Sequence, residues 1–515
     1  MRALLSVANR EGLVPFAQAL LDLGVDVYAT EGTRETLSSA GVEVRPISDL
    51  TTLPSLAGGQ VKTFHPGIYA GIVARRDRPD QVQELEQQGI GPIDLVVVNL
   101  KPFAPQVGAG QLTLEEAIDA IDIGGAPLLA AAARNFTAVT VVCSPAQYDE
   151  VAGDLRDHGH VKPERRQRLA AEAFATVAAY NAEVAAYLNQ QARIRFPVQL
   201  TVVLEKTSDL RYGENPHQDA ALYRETSHRT GTLADAELLQ GGSPSFNDLL
   251  DLDAAYHLAA DFAAPTVSIV KHRNPVGLAS DDNLAEAYRR SLETDPVSAF
   301  GATVGVNRQL DAETAQDIAG NAYEAVVAPR YAPAALQVLS GKPDLTVMSV
   351  PATPAGGMHD YGIANLDFKR ISGGLLVETL DRLDMDRSQL RVVTERRPAL
   401  EELTDLLFAW RAVRHVPSNA VVLARNAALV GVGAGQASRL VAVEIALHKA
   451  GDRAKMSCLA SDAYFPFADA IQLAAERGVT AIIQPGGSRR DEMAIDIANR
   501  HHMAMVFTGR RHFRH

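Results

Sequence analysis

Reactive side chains are densest at Lys271-His272-Arg273-Asn274-Pro275. An ammonium beside an imidazole joins a group that stabilises an oxyanion to one that takes a proton near neutral pH. The run before them, residues 266–270, is apolar and β-branched and reads as a buried strand. Asn274-Pro275-Val276-Gly277 then reads as the turn. Open α/β sheets bind ligands at such strand ends, though the pair taken alone better suits a solvated loop. Downstream, Asp295-Pro296-Val297-Ser298-Ala299-Phe300-Gly301 supplies a second turn before a strand over 302–306. Leu210-Arg211-Tyr212-Gly213-Glu214-Asn215-Pro216-His217-Gln218 is too polar for core packing, and Arg211 and Tyr212 suit a phosphate or a stacked base. Gly242-Ser243-Pro244-Ser245-Phe246-Asn247-Asp248 sets amide and hydroxyl groups before an apolar helix.

A second concentration lies nearer the start of the chain. Gly59-Gln60-Val61-Lys62-Thr63-Phe64-His65-Pro66-Gly67 packs a lysine, a threonine and a histidine into one loop bounded by glycine and proline. Asn99-Leu100-Lys101-Pro102-Phe103 follows a buried strand, and Ile121-Asp122-Ile123-Gly124-Gly125 opens an alanine-rich helix ending at Arg134. Asp122 at a helix start is favoured by the dipole and suits acid–base work or simple capping. Ser6-Val7-Ala8-Asn9-Arg10 and Thr30-Glu31-Gly32-Thr33 place hydroxyls and a glycine at helix N-termini near an arginine. That pattern suits a phosphate seat and equally suits ordinary caps.

These groups need rigid strands behind them. Strands over 4–7, 25–29 and 42–47 alternate with helices over 12–23 and 33–39, which predicts a doubly wound parallel sheet. A further strand spans 93–99. Residues 163–191 repeat Leu169, Phe174, Val177, Tyr180, Val184 and Leu188 at helical spacing, closing a first domain of residues 1–197. The second domain, 198–515, opens on a β-branched strand over 198–204.

At 515 residues the chain has room for roughly two to four domains. Its 47% hydrophobic and 22% charged residues are ordinary for a soluble protein, and a net charge of −13 argues against nucleic acid as a partner. Cys143 and Cys458 lie in apolar runs, which fits a reducing cytoplasm and offers no metal clip. His501-His502, placed on a helix, has no ligand partners at metal spacing, so no metal is assigned. No apolar run reaches the ~18 residues of a membrane span. Val430-Gly431-Val432-Gly433-Ala434-Gly435 mimics a nucleotide loop, a weak signal without an acidic partner.

The motifs Val-Lys-Thr-x-His-Pro-x-Ile, Asp-Leu-Val-Val-Val-Asn-Leu and Ile-Asp-Ile-Gly-Gly resemble the cyclohydrolase domain of the bifunctional AICAR transformylase/IMP cyclohydrolase family. Arg-Tyr-Gly-Glu-Asn-Pro-His-Gln, Val-Lys-His-x-Asn-Pro, Asp-Pro-Val-Ser-Ala-Phe-Gly, Arg370-Ile371-Ser372-Gly373-Gly374, Ser418-Asn419-Ala420, Gly433-Ala434-Gly435-Gln436 and Ser461-Asp462-Ala463-Tyr464-Phe465 resemble its transformylase domain. The match runs in order over the whole chain. It implies an α/β fold: a methylglyoxal-synthase-like doubly wound parallel sheet, then a transformylase region of two cytidine-deaminase-like subdomains. It implies formyl transfer from 10-formyltetrahydrofolate, a co-substrate, to AICAR, then dehydrative closure of the product FAICAR to IMP. No cofactor is implied as tightly bound; a homodimer is.

By the same resemblance, Lys271, His272 and Asn419 are catalytic in transfer, while Lys62, Lys101, Asp122 and Arg134 serve ring closure. Arg211, Tyr212, Asn247 and Arg439 bind the ribotide of the second domain; Ser6, Arg10, Thr30, Gly32, Thr33 and Thr63 bind that of the first. Phe300, Gly301, Asp462 and Phe465 border the folate. Lys101 stands where the family has tyrosine, Arg134 where it has lysine, and Asp248 where asparagine is usual. The first two leave open an impaired cyclohydrolase, or a first domain that only binds a phosphometabolite.

Overall fold

The computed structural model describes residues 1–51, 56–57, 60–108, 112–225, 231–351, 365–382 and 387–515. Gly59 of the lysine-bearing loop lies outside them. One compact unit runs from Met1 to Val203 and a second begins at Leu204.

In the first unit, β1 (Arg2–Val7), β2 (Asp26–Ala29), β3 (Arg45–Pro46), β4 (Leu95–Asn99) and β5 (Thr140–Val142) form a sheet in the order 3-2-1-4-5. Every pairing is parallel. β4 is buried along its whole length, which is why it reads Leu-Val-Val-Val-Asn without alternation. The order reverses beside β1, so the loops after β1 and β4 part and leave a crevice at the strands' C-terminal ends. Around the sheet lie α1 (Leu13–Asp22), α2 (Glu31–Ser39), α3 (Pro66–Val73), α4 (Gly125–Arg134) and α5 (Pro163–Gln191). The strand expected over 42–47 shrinks to β3, an edge whose Pro46 has no N–H to extend the ladder.

The strand expected over 198–204 is absent. Val198 is fully exposed, and the strand here is Leu204–Leu210, paired only with Ala220–Glu225 in a ribbon. β-branched propensity does not make a strand without a neighbour to receive its backbone bonds.

The second unit is built on a twelve-stranded mixed sheet. Its strands are β6 (Glu237–Gln240), β7 (Thr266–Lys271), β8 (Asn274–Ser280), β9 (Ala302–Val306), β10 (Tyr323–Ala328), β11 (Thr346–Ser349), β12 (Arg391–Val392), β13 (Val421–Arg425), β14 (Ala428–Gly433), β15 (Cys458–Ser461), β16 (Ala481–Gln484) and β17 (Ala504–Phe507). The spatial order is 12-17-16-15-13-14-8-7-9-10-11-6. Outward from the centre, each half repeats one plan: an antiparallel hairpin, an antiparallel neighbour, two parallel strands and an antiparallel edge. β8 and β14 join the halves through an antiparallel pairing of Ala279 with Ala428. The helices repeat as well: α6 (Phe246–Ala260) precedes β7 and α7 (Leu284–Leu292) follows β8, while α8 (Leu400–Val413) precedes β13 and α9 (Arg439–Ala450) follows β14.

Two sequence expectations change here. The turn after β7 is His272-Arg273, both at positive φ (52° and 60°), and Asn274 already opens β8. Pro275 fits inside that strand because the ladder carries a bulge between Pro275 and Gly277. The glycines resembling a nucleotide loop lie in β14, where a Cβ on Gly431 or Gly433 would overlap the Ala446 or Ala442 carbonyl of α9. They permit close helix–sheet packing. His501 and His502 follow the Asp491–Arg500 helix rather than riding on it.

Candidate functional site

In the first unit the crevice beside β1 gathers the expected phosphate group. The Thr30 hydroxyl donates to Ser6 Oγ at 3.2 Å and lies 3.3 Å from Thr33 Oγ1, which accepts from the Val7 N–H at 3.0 Å. Gly32 faces the Arg10 guanidinium. Thr30 is the N-cap of α2, yet its side chain makes no capping bond, so the helix start is open toward these hydroxyls. Asn99, at the end of β4, accepts from the Ala8 and Asn9 N–H groups at 2.6 and 2.7 Å and fixes the facing loop. Its role was not read from the sequence, where it appeared only as a strand end.

Asp122 is held by three bonds. Its carboxylate accepts from the Gly125 N–H at 2.9 Å and the Lys101 N–H at 3.2 Å, and its own N–H donates to the Tyr180 hydroxyl at 2.6 Å. Burial pushes the Tyr180 hydroxyl above its ordinary value, keeping it neutral. Thr63 lies against Gly124, and its buried hydroxyl has no hydrogen-bond partner among the described residues. Lys62, Thr63, Lys101 and Asp122 therefore share the N-terminal ends of α3 and α4. The Lys62 and Lys101 ammonium groups make no ion pair among the described residues.

Arg134 is placed differently. It closes α4, roughly 14 Å along the axis from the Asp122 end. Neighbouring Asn135 donates to the Ile72 and Ala74 carbonyls at the far end of α3. The structure does not bring Arg134 to Asp122.

In the second unit, strand directions place most expected residues at one end of the sheet. β7 ends there with Lys271-His272, β9 starts there after Phe300-Gly301, β13 starts there after Asn419, and β15 ends there before Asp462. The Lys271 ammonium donates to the Phe300 carbonyl beside Gly301. Phe300 is 72% exposed, a ring open for stacking. The His272 ring has no partner among the described residues. Its N–H and that of Arg273 donate to the Asp251 carboxylate at 2.9 and 2.6 Å. Asn247, one turn earlier on α6, donates to the Glu214 carbonyl at 3.3 Å, tying this helix to the Arg211-Tyr212 loop. Asp248 is the partner of Ser245 in a capping box, the reason an acid serves there.

Asn419, Arg439 and Asp462 form one buried network. Arg439 is 7% exposed, pairs with the fully buried Asp462, and donates to Asn419 Oδ1 at 2.7 Å and Ser461 Oγ at 2.7 Å. Asn419 Nδ2 donates to the Gln436 carbonyl at 2.7 Å. Ser418, joined to Asn419 by a cis peptide, donates to Asp462 and accepts from the Arg514 N–H at 3.1 Å. Arg439 is held by internal partners, Asn419 among them, and Asp462 is its counter-ion. Phe465, 1% exposed, lies in the core under β13–β16.

The two units thus make an α/β protein with a separate polar site at the strand ends of each sheet. An MGS-like domain model matches residues 12–127, and a model described as AICARFT/IMPCHase bienzyme matches residues 132–449. The chain is 43% identical over 514 residues to the bifunctional purine biosynthesis protein PurH of Thermoanaerobacter sp. (strain X514), covering 100% of this chain and 99% of that one. It is 44% identical over the same length to the PurH protein of Anoxybacillus flavithermus and 43% to that of Bacillus cereus (strain B4264), with the same coverage. The chain belongs to the AICARFT/IMPCHase bienzyme family.

Proposed function

We propose that the two activities of this bifunctional purine-biosynthesis enzyme are divided between its units, ring closure in residues 1–197 and formyl transfer in 198–515. The chain is an AICAR formyltransferase and IMP cyclohydrolase. The observation that carries the division is the pairing of the Lys271-His272 strand end with the exposed Phe300 at one sheet end, in a unit separate from the Lys62, Lys101 and Asp122 loops.

In transfer, the 5-amino group of AICAR is weakened by conjugation with its ring and carboxamide. His272 takes its proton as the nitrogen bonds to the formyl carbon of 10-formyltetrahydrofolate. Lys271 stabilises the tetrahedral oxyanion and supplies a proton to N10 as the carbon–N10 bond breaks. Asn419 orients the formyl group, Arg211, Tyr212 and Asn247 hold the ribotide, and Phe300 and Gly301 border the pterin. In closure, the carboxamide nitrogen attacks the formyl carbon and water leaves. Lys62 and Lys101 stabilise the oxyanion and Asp122 moves protons. Ser6, Arg10, Thr30, Gly32, Thr33 and Thr63 hold the phosphate and ribose. Arg134 lies outside this proton path, and an arginine donates protons poorly in any case.

The test is a pair of assays on three proteins. His272→Ala should abolish formylation of AICAR and spare closure of supplied FAICAR; Lys62→Ala should do the reverse, and the unaltered chain should do both. Either variant losing both activities, or neither, would refute the division.

The finer fold reading, a doubly wound first sheet and two cytidine-deaminase-like halves in the second, is supported by the 3-2-1-4-5 order and the repeated six-strand plan. A homodimer fits the exposed Leu375 and Leu376 of the Gly374–Thr379 strand and the exposed Leu204 and Tyr223 ribbon; light scattering at twice the chain mass is the expected result. Among the described residues no helix is long and apolar enough to cross a membrane, and a cytoplasmic site of action matches the folate donor.

A further inference from the structure

We propose that Asp251 is a positioning residue for formyl transfer: its carboxylate clamps the His272–Arg273 backbone and so sets where His272 stands. The proposal rests on the reading that Lys271 and His272 carry the transfer chemistry.

The turn has two central residues at positive φ, a conformation that favours glycine and asparagine. Neither His272 nor Arg273 is such a residue. Both of their N–H groups point into one carboxylate, at 2.9 and 2.6 Å, which are charge-assisted bonds. Because the His272 ring has no partner among the described residues, its backbone alone decides its location. Lys271 is tied separately, to the Phe300 carbonyl.

The second half of the sheet repeats the device without the chemistry. There the turn is Asn426-Ala427, again at positive φ (53° and 55°), and Asp405 on α8 accepts from the two N–H groups at 2.8 and 2.7 Å. Asp251 sits at the matching place on α6. A carboxylate clamp is how this fold holds a two-residue turn without glycine. In one half the turn it holds is bare, at the opposite end of the sheet; in the other it bears His272, next to Lys271. The clamp also couples that turn to the Arg211-Tyr212 loop, since Asn247 lies one helical turn before Asp251 on α6.

The experiment compares Asp251→Asn with Asp405→Asn in the full chain. In Asp251→Asn an amide NH2 faces one of the two donors, and kcat for formylation should fall about 10- to 100-fold with KM for AICAR nearly unchanged. Closure of supplied FAICAR should be unaffected. Asp405→Asn should lower the melting midpoint and leave kcat within about twofold. Adding Arg273→Gly should restore part of the loss in Asp251→Asn, because glycine holds positive φ without a clamp. In a His272→Ala background, Asp251→Asn should cost no more. Equal kcat losses in the Asp251 and Asp405 variants, no rescue by Arg273→Gly, or a full further loss in the His272→Ala background would each overturn the proposal. Full formylation by His272→Ala itself would instead overturn the reading on which it rests.

Discussion

In the half of the large sheet built on β7, the hairpin turn is His272-Arg273; in the half built on β13 it is Asn426-Ala427, with the same backbone and the same clamping carboxylate. The two turns lie at opposite ends of the sheet because β8 and β14 pair antiparallel. The second half therefore brings to the first half's end not its own turn but the start of β13, where Asn419, Arg439 and Asp462 sit. One plan used twice thus yields one site with two kinds of parts: exposed reactive groups from the first half and a buried ion-paired scaffold from the second. Corresponding residues also meet across the join. Asp261 faces His415, and Asp295 faces Lys449 at 3.0 Å, each pair 154 residues apart in sequence. Identical halves would set like charges face to face, so these contacts depend on the halves having diverged.

The sharpest way to break the comparison is at the turns. His272→Ala should cost on the order of 10²- to 10⁴-fold in formylation rate, while Asn426→Ala should stay near the unaltered value; comparable losses would mean that both turns take part. Next is the buried pair, present only in the second half, since the place of Arg439 on α9 is taken by Ala285 on α7. Arg439→Met leaves Asp462 charged and unpaired, and urea unfolding should register a loss of about 3–5 kcal/mol. Shared features should respond alike. A Cβ on Gly277 would overlap the Ser291 carbonyl of α7, as one on Gly431 overlaps Ala446 of α9. Both alanine variants should lower stability, by up to about 3 kcal/mol each, and a large inequality in melting midpoint would show that the packing is not equivalent.

The smallest effect concerns the join. Burial raises the Asp261 carboxyl, but the hydrogen bond and charge of His415 and the charge of Arg414 outweigh it and hold it down at about 2, from an ordinary 3.8. A carboxyl lowered on folding contributes stability above its unfolded value and loses it as pH falls toward its folded one. Unfolding free energy should therefore drop by about 2 kcal/mol between pH 4 and 2 through this group, and Asp261→Asn should remove that part of the slope.

Much of the site was legible because chemistry concentrates in loops that packing cannot explain. The Lys271-His272 pair, the Arg211-Tyr212 loop and the Asp122-Gly-Gly helix start all stood out for that reason. Three partners escaped: Asn99, Asp251 and Ser418. Each acts by accepting or donating bonds to backbone far away in sequence, and a lone Asn, Asp or Ser in a helix or at a strand end carries no local mark of that. The repeat of the plan came only from the family resemblance, though Asp251 and Asp405 precede their turns by equal spacings.

By itself the sequence determined the alternation of strands and helices, the long α5, the buried β4 and the residue types at each strand end, because these follow from local periodicity and from side-chain chemistry. Only the tertiary structure decided that Arg439 and Asp462 neutralise each other, that Phe465 is core and that Arg134 stands a helix away from Asp122. It also decided that the turn falls at His272-Arg273. Those outcomes depend on burial and on partners distant in the chain, and a charge or a ring takes its role from what surrounds it once folded.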